Sequence, residues 1–124
     1  MTESAQPNAL TDDQIEQRLT ADLPGWSYAD GTIRRQFTTA GWKASVMACG
    51  AIAHLAELAW HHPDLEVSWG GVLVKLATHS AGGITELDFS LAKKIDEVLL
   101  WAPAEEGVLP GTPEDVRYSY IKRP

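Results

Sequence analysis

A strongly apolar, helical stretch in the middle of the chain constrains the fold more than any other feature. Between Gly41 and His61, apolar residues recur at steps of three and four, which is the periodicity of an α-helix. The most apolar part, residues 46–60, is about fifteen residues long and contains His54 and Glu57, so it is too short to span a membrane. A helix that is apolar around much of its circumference is buried in the domain or between subunits.

Two candidate strand pairs flank this helix. Before it, residues 26–29 and 32–38 enclose Asp30-Gly31, a dipeptide typical of a two-residue hairpin turn. After it, residues 66–69 and 71–79 form a second pair. Pro63 is expected to end the central helix, because the residue before a proline is pushed out of helical geometry.

Two further helices are predicted near the ends of the chain by the same local pattern. Thr11 precedes Gln14, and Thr85 precedes Asp88, at the spacing of a capping box, and an apolar pair brackets each box. The first helix is expected to run to about residue 20. The resulting order, α-β-β-α-β-β-α, predicts an α+β fold with a four-stranded antiparallel sheet and three helices packed on one face.

Length and composition fit one compact domain. The chain has 124 residues, 44% of them hydrophobic, and a formal net charge of −7, which argues against direct binding of nucleic acid. The single cysteine, Cys49, and the lack of a recognisable secretory signal predict a cytoplasmic protein. We expect a flexible lead-in over residues 1–9, the domain over residues 10–101 and an irregular C-terminal extension over residues 102–124.

The candidate chemistry lies in three histidines at predicted element ends. His61 and His62 follow the central helix, and His79 ends the last predicted strand. Glu57 lies four residues before His61, so the two side chains are expected to share a helix face and to pair. Imidazoles exchange protons near neutral pH, although a structural ion pair and a helix stop would produce the same pattern.

Metal and nucleotide sites receive little support from the spacing. The same histidines and Glu57 are the only candidate metal ligands, but adjacent histidines rarely point at one ion. No paired cysteines and no glycine-rich nucleotide motif are present. The spacing therefore favours neither a metal site nor a nucleotide cofactor.

The histidines and their surroundings resemble the signature of the pterin-4a-carbinolamine dehydratase family. The matching pattern is Glu57-x₃-His61-His62-Pro63-x₅-Trp69-x₉-His79, followed by Asp88. Flanking matches are Arg35-x-Phe37, Thr78-His79-x₂-Gly82-Gly83-Ile84-Thr85 and Leu91-Ala92-x₂-Ile95-Asp96. The resemblance covers about residues 10–100 and implies the element order given above.

Membership of this family implies dehydration of 4a-hydroxytetrahydropterin to quinonoid dihydropterin, without a metal or an organic cofactor, by a homodimer or homotetramer. The resemblance implies that His61 and His79 handle protons near the C4a hydroxyl and N5, and that His62 helps to bind the pterin. Glu57 would position His61, and Asp88 would steady the site. The substrate-binding or supporting residues implied are Glu57, Pro63, Trp69, Thr78 and Asp88.

The chain departs from the family pattern at three positions. Leu65 stands where the family commonly has tryptophan, Leu87 where it often has arginine, and Trp60 where it usually has a small or polar residue. These changes leave every proton-transfer group in place. The alternative function is a catalytically silent dehydratase-like protein that acts as an assembly factor, for example for RuBisCO, or as a dimerisation partner.

Overall fold

A four-stranded antiparallel sheet forms the framework of the computed structural model, which describes residues 8–123. The strands lie in the order β1-β2-β4-β3, and the chain order is α-β-β-α-β-β-α. The predicted α+β fold is therefore confirmed. The main elements are α1 (Asp12–Asp22), β1 (Ser27–Ala29), β2 (Thr32–Thr38), α2 (Trp42–Ala59), β3 (Asp64–Ser68), β4 (Gly71–Leu76) and α3 (Glu86–Leu99).

The core lies between the helices and one face of the sheet. Alternate residues of the two central strands point into it, because successive side chains of a strand lie on opposite faces. These strand residues are Ile33, Phe37, Val72, Val74 and Leu76, and all are buried. The other face is wetter: there Lys75 of β4 forms an ion pair with Glu66 of β3.

Local interactions between near neighbours set the start of α1 and the turn of the first hairpin. Thr11 Oγ1 accepts a hydrogen bond from Gln14 N at 3.2 Å, and Gln14 Oε1 accepts one from Thr11 N at 2.8 Å, which completes the predicted capping box of α1. Asp30 and Gly31 both have positive φ, 50° and 76°, as a type I′ turn between β1 and β2 requires.

The end of α2 differs from the prediction. The helix stops at Ala59, before Pro63 can act on it, and Trp60 takes the left-handed conformation with φ 52° and ψ 45°. The amide of His61 donates to Ala56 O at 3.2 Å, and that of Trp60 donates to Glu57 O at 3.3 Å. These two bonds form a Schellman motif, so the helix is closed by its own backbone.

Strand β4 is shorter than predicted and ends at Leu76 rather than His79. Thr78 N donates to Gly83 O at 2.9 Å, and the chain between them turns through a short 3₁₀ helix, His79–Ala81. Gly82, with φ 73°, completes this turn. His79 therefore lies on a turn at the end of the sheet.

The chain beyond α3 returns to the sheet. A short helix, α4 (Pro103–Glu106), and a 3₁₀ turn, Val116–Tyr118, precede a bridge between Ile121 and Thr39. Lys122 N donates to Thr38 O, so the C-terminal residues add to the free edge at the end of β2. The predicted lead-in falls largely on residues 1–7, outside the described residues. No helix within residues 8–123 is long and apolar enough to cross a membrane.

Candidate functional site

An open pocket of about 330 Å³ lies where α2 ends, β4 ends and α3 begins. All three histidines singled out in the sequence line it. The sheet and the two helices therefore bring together residues that are distant in the chain. The complete lining is Trp60, His61, His62, Ala77, Thr78, His79, Ser80 and Leu87.

A fully buried carboxylate, Asp88, supports the pocket from the first turn of α3. Its Oδ2 accepts from Thr85 N at 2.9 Å and from the Thr78 hydroxyl at 2.7 Å. Its Oδ1 lies 2.6 Å from Nε2 of His61. Asp88, the N3 residue of the capping box of α3, is thus also the hydrogen-bond partner of a pocket histidine. The structural and the functional interpretation of Asp88 therefore both apply.

The contact with Asp88 sets the tautomer of His61. Both oxygens of an ionised carboxylate are acceptors only, so a proton on Nε2 must lie between the ring and Oδ1. In the neutral imidazole, Nδ1 then carries the free lone pair. The side chain of His61 is only 14% exposed, so this arrangement is held by packing as well as by the hydrogen bond.

Glu57 contacts a different histidine from the one expected. Its Oε1 lies 2.6 Å from Nε2 of His62, and the pairing predicted between Glu57 and His61 is wrong. The rule that residues four apart face each other holds only while the helix continues. The left-handed turn at Trp60 ends the helix between them and directs His61 towards α3 instead. The Glu57–His62 pair is largely exposed.

His79 is the least constrained of the three histidines. It is exposed at the start of the 3₁₀ turn, and its imidazole makes no hydrogen bond to another residue in the described range 8–123. The preceding residue, Thr78, is buried, and its hydroxyl contacts both Thr85 and Asp88. The backbone of His79 is therefore anchored while its ring is free to meet a ligand.

Four expected site residues lie outside the pocket lining. Glu57 and Asp88 each bond to a pocket histidine, whereas Pro63 and Trp69 do not. Trp69 lies at the turn between β3 and β4, where its ring approaches Gly41 at the start of α2. The length of β4, roughly 17 Å, separates that turn from the pocket, so the structure does not bring Trp69 to the histidines. Pro63 follows His62 directly and leads the chain into β3, outside the lining.

Four lining residues were not among the predicted site residues. Ala77 and Ser80 adjoin Thr78 and His79 in sequence, so their neighbourhood was the available signal. Trp60 and Leu87 were noted only as departures from a family pattern. Among residues 8–123, no three His, Cys, Asp or Glu side chains lie close enough together to hold a metal ion.

Comparisons with known proteins agree on one family. The model of a family described as Pterin 4 alpha carbinolamine dehydratase matches residues 8–98. Relatives from Aquifex aeolicus (strain VF5) and Roseiflexus sp. (strain RS-1), both named "Putative pterin-4-alpha-carbinolamine dehydratase", are 49% and 42% identical over 90 residues. These alignments cover 73% of this chain and 90% and 96% of the relatives.

A solved structure shows the same similarity in three dimensions. It is described as a transcriptional coactivator/pterin dehydratase from Brucella melitensis, with 34% sequence identity and a TM-score of 0.67. The superposition covers 73% of this chain and 98% of the Brucella chain. The family match ends at residue 98, so the C-terminal segment lies beyond it.

Proposed function

The chain belongs to the Pterin 4 alpha carbinolamine dehydratase family, and we propose that it dehydrates a 4a-hydroxytetrahydropterin to the quinonoid dihydropterin in pterin recycling. The observation that carries this proposal is the hydrogen bond between His61 and the buried Asp88 in a pocket that His79 also lines. An imidazole held in one orientation by a buried carboxylate is well suited to general acid–base catalysis.

The reaction needs two proton transfers on neighbouring atoms. The N5–H bond and the C4a–OH bond break, a double bond forms between C4a and N5, and one molecule of water leaves. Hydroxide is a poor leaving group, so an acid must protonate the C4a hydroxyl while a base removes the N5 proton. Each positioned acid or base contributes about 10²- to 10⁴-fold to the rate.

The two roles are divided between His61 and His79. Asp88 holds the Nε2 proton of His61, so its Nδ1 lone pair accepts the proton from N5. His79 has no side-chain partner within residues 8–123, and its imidazolium form delivers a proton to the departing hydroxyl. His62, oriented by Glu57, binds and orients the pterin at the pocket rim.

We also propose that the protein acts as a cytoplasmic homodimer or homotetramer. Several large apolar side chains of α2 are exposed in the single chain, including Trp42, Met47 and Leu58, the last 72% exposed. Large apolar side chains left exposed on a helix are typical of a subunit interface. The chain has a single cysteine, Cys49, and therefore no internal disulfide, which suits a reducing compartment such as the cytoplasm.

The alternative is a catalytically silent scaffold or coactivator. It is favoured by one finding, the description of the Brucella protein as a coactivator as well as a dehydratase. A scaffold, however, would need the buried Asp88 for the capping box of α3, but not for a hydrogen bond to a histidine that lines a pocket. We therefore place dehydration first.

The test is a dehydration assay in which the carbinolamine is generated in situ and its loss is followed with and without the protein. We expect acceleration by the wild type and a loss of at least about tenfold in His61→Ala and in His79→Ala. His54→Ala is the matched control, since His54 is exposed on α2 outside the pocket. No acceleration by folded wild-type protein would favour the scaffold.

A further inference from the structure

The residue that closes α2 is unusual for its position. Trp60 occupies the left-handed C′ position of the Schellman motif, with φ 52°, where helices usually have glycine and sometimes asparagine. A side chain with a Cβ is disfavoured there because the Cβ approaches the following carbonyl oxygen. Apart from the turn residue Asp30, Trp60 is the only non-glycine residue with positive φ within residues 8–123.

Packing does not explain why a tryptophan occupies this position. The residue is 77% exposed, so the indole gains little from burial in the domain. Its contact is with His62, whose ring lies edge-to-face at a centroid distance of 5.0 Å and an interplanar angle of 81°. A strained backbone that carries an exposed aromatic ring points to a role at a site rather than in the core.

That site is the histidine pocket. Trp60 is one of its eight lining residues and the only one with a large fused aromatic ring. The three imidazoles supply hydrogen-bonding edges, and Leu87 and Ala77 supply small apolar areas. The indole is therefore the lining group with a face wide enough to cover a bicyclic heterocycle.

We propose that Trp60 is a substrate-binding residue that stacks on the flat pyrimidine part of the pterin bicycle and thereby helps to select it. This inference rests on the proposed function and adds a specificity determinant to the same pocket. Stacking of a heterocyclic base on an aromatic side chain changes affinity by about 5- to 100-fold. Because Trp60 exchanges no proton, its removal should weaken binding far more than it slows the chemical step.

The test compares Trp60→Gly and Trp60→Phe with the wild type. Steady-state kinetics separate KM from kcat, and titration with 7,8-dihydropterin, which lacks the C4a hydroxyl, gives a Kd independent of turnover. We expect Trp60→Gly to raise both KM and Kd about tenfold with kcat unchanged within about twofold. Trp60→Phe should retain most of the affinity. Trp101→Ala, a variant of another half-exposed tryptophan outside the pocket, should change none of these quantities.

Thermal unfolding supplies a second readout of opposite sign. Glycine relieves the left-handed strain, so Trp60→Gly should melt at a higher temperature than the wild type although it binds less tightly. A merely structural tryptophan would lower the melting temperature and the affinity together. If glycine perturbs the turn in other ways, Trp60→Asn, which also tolerates this conformation, provides the same comparison.

Three results would bear on the proposal separately from the dehydratase assignment. An unchanged Kd and KM in Trp60→Gly would overturn it, as would a changed oligomeric state in size-exclusion chromatography with unchanged Kd. Wild-type protein that binds 7,8-dihydropterin but does not dehydrate the carbinolamine, together with weaker binding by Trp60→Gly, would support stacking while rejecting the catalytic function. Wild-type protein that binds no pterin would overturn both.

Discussion

Replacement of Asp88 by asparagine tests the proposed role of the buried carboxylate most stringently. Three donors converge on Asp88: Nε2 of His61, the hydroxyl of Thr78 and the backbone amide of Thr85. An asparagine of the same shape keeps one oxygen and replaces the other by an NH₂ group, which is a donor. The backbone amide of Thr85 cannot become an acceptor, so the oxygen must stay on that side.

The introduced NH₂ group must therefore face His61. Nε2 then has to accept a hydrogen bond, and the ring proton moves to Nδ1, the nitrogen that we assign to proton abstraction from N5. Loss of the correct histidine tautomer costs a catalytic base about 10²- to 10⁴-fold in rate. Replacing a charge-assisted hydrogen bond by a neutral one lowers the free energy of unfolding by about 1–2 kcal/mol.

Two measurements on Asp88→Asn check this reasoning. The dehydration assay gives kcat, and the ¹⁵N chemical shifts of the His61 ring report which nitrogen carries the proton. Asp96→Asn is the matched control, because Asp96 lies two turns further along α3 and bonds to Trp26 and Arg35 outside the pocket. A folded Asp88→Asn protein with kcat within about twofold of the wild type, or with its proton still on Nε2, would refute the role assigned here.

Three further predictions concern stability and the limits of the site. Glu57→Gln should lower the free energy of unfolding in urea by less than about 1 kcal/mol, because the pair with His62 is largely exposed; a loss above about 2 kcal/mol would contradict this. The Arg18 guanidinium holds the pKa of the Glu86 carboxyl below its usual 4.5 in the folded protein. The ion pair therefore stabilises the fold above about pH 4.5, and this stabilisation is lost as the pH falls through the lower pKa of the folded state. Glu86→Gln should therefore flatten the acid limb of a stability–pH curve measured by urea unfolding, and parallel curves for the two proteins would contradict the assignment. Deletion of residues 102–124 should lower the melting temperature in a thermal scan, because it removes backbone hydrogen bonds to the end of β2 that are worth about 1 kcal/mol each. The deletion should leave kcat unchanged. A large fall in kcat would show that the extension supports the pocket.

The parts of the fold that the sequence predicted correctly depend on interactions between near neighbours. The capping box of Thr85 and Asp88 spans four residues, and the Asp30-Gly31 turn spans two. Their side chains meet as soon as the local backbone forms, so residue types and spacing suffice to predict them. The element order followed because each local signal agreed with the next.

Two errors, the end of α2 and the partner of Glu57, have a common physical origin in the turn after α2. The expected pairing of Glu57 with His61 assumed that the helix continues, and the left-handed conformation of Trp60 breaks that assumption. A tryptophan gives no sequence signal for this conformation, since glycine or asparagine normally marks it. The partner of His61, Asp88, lies 27 residues away, and the family resemblance implied only that Asp88 steadies the site.

Contacts between residues far apart in the sequence also could not be predicted from the local spacing of residue types. The bridge between Thr39 and Ile121 joins the C-terminal extension to the sheet, and no pattern in either segment predicts it. Trp69 was expected at the site because of its place in a motif. Its position at the opposite end of β4 shows that a shared motif does not by itself place residues in one pocket.

The proposed mechanism assigns the two proton transfers of carbinolamine dehydration to His61 and His79. The most direct test is the initial rate of carbinolamine loss in the wild type and in the double variant His61→Ala/His79→Ala, with folding of both verified by circular dichroism. We predict that the wild type accelerates the loss and that the double variant falls by at least about 100-fold, towards the uncatalysed rate. A folded double variant with wild-type activity would contradict the assignment of the proton transfers to these two histidines.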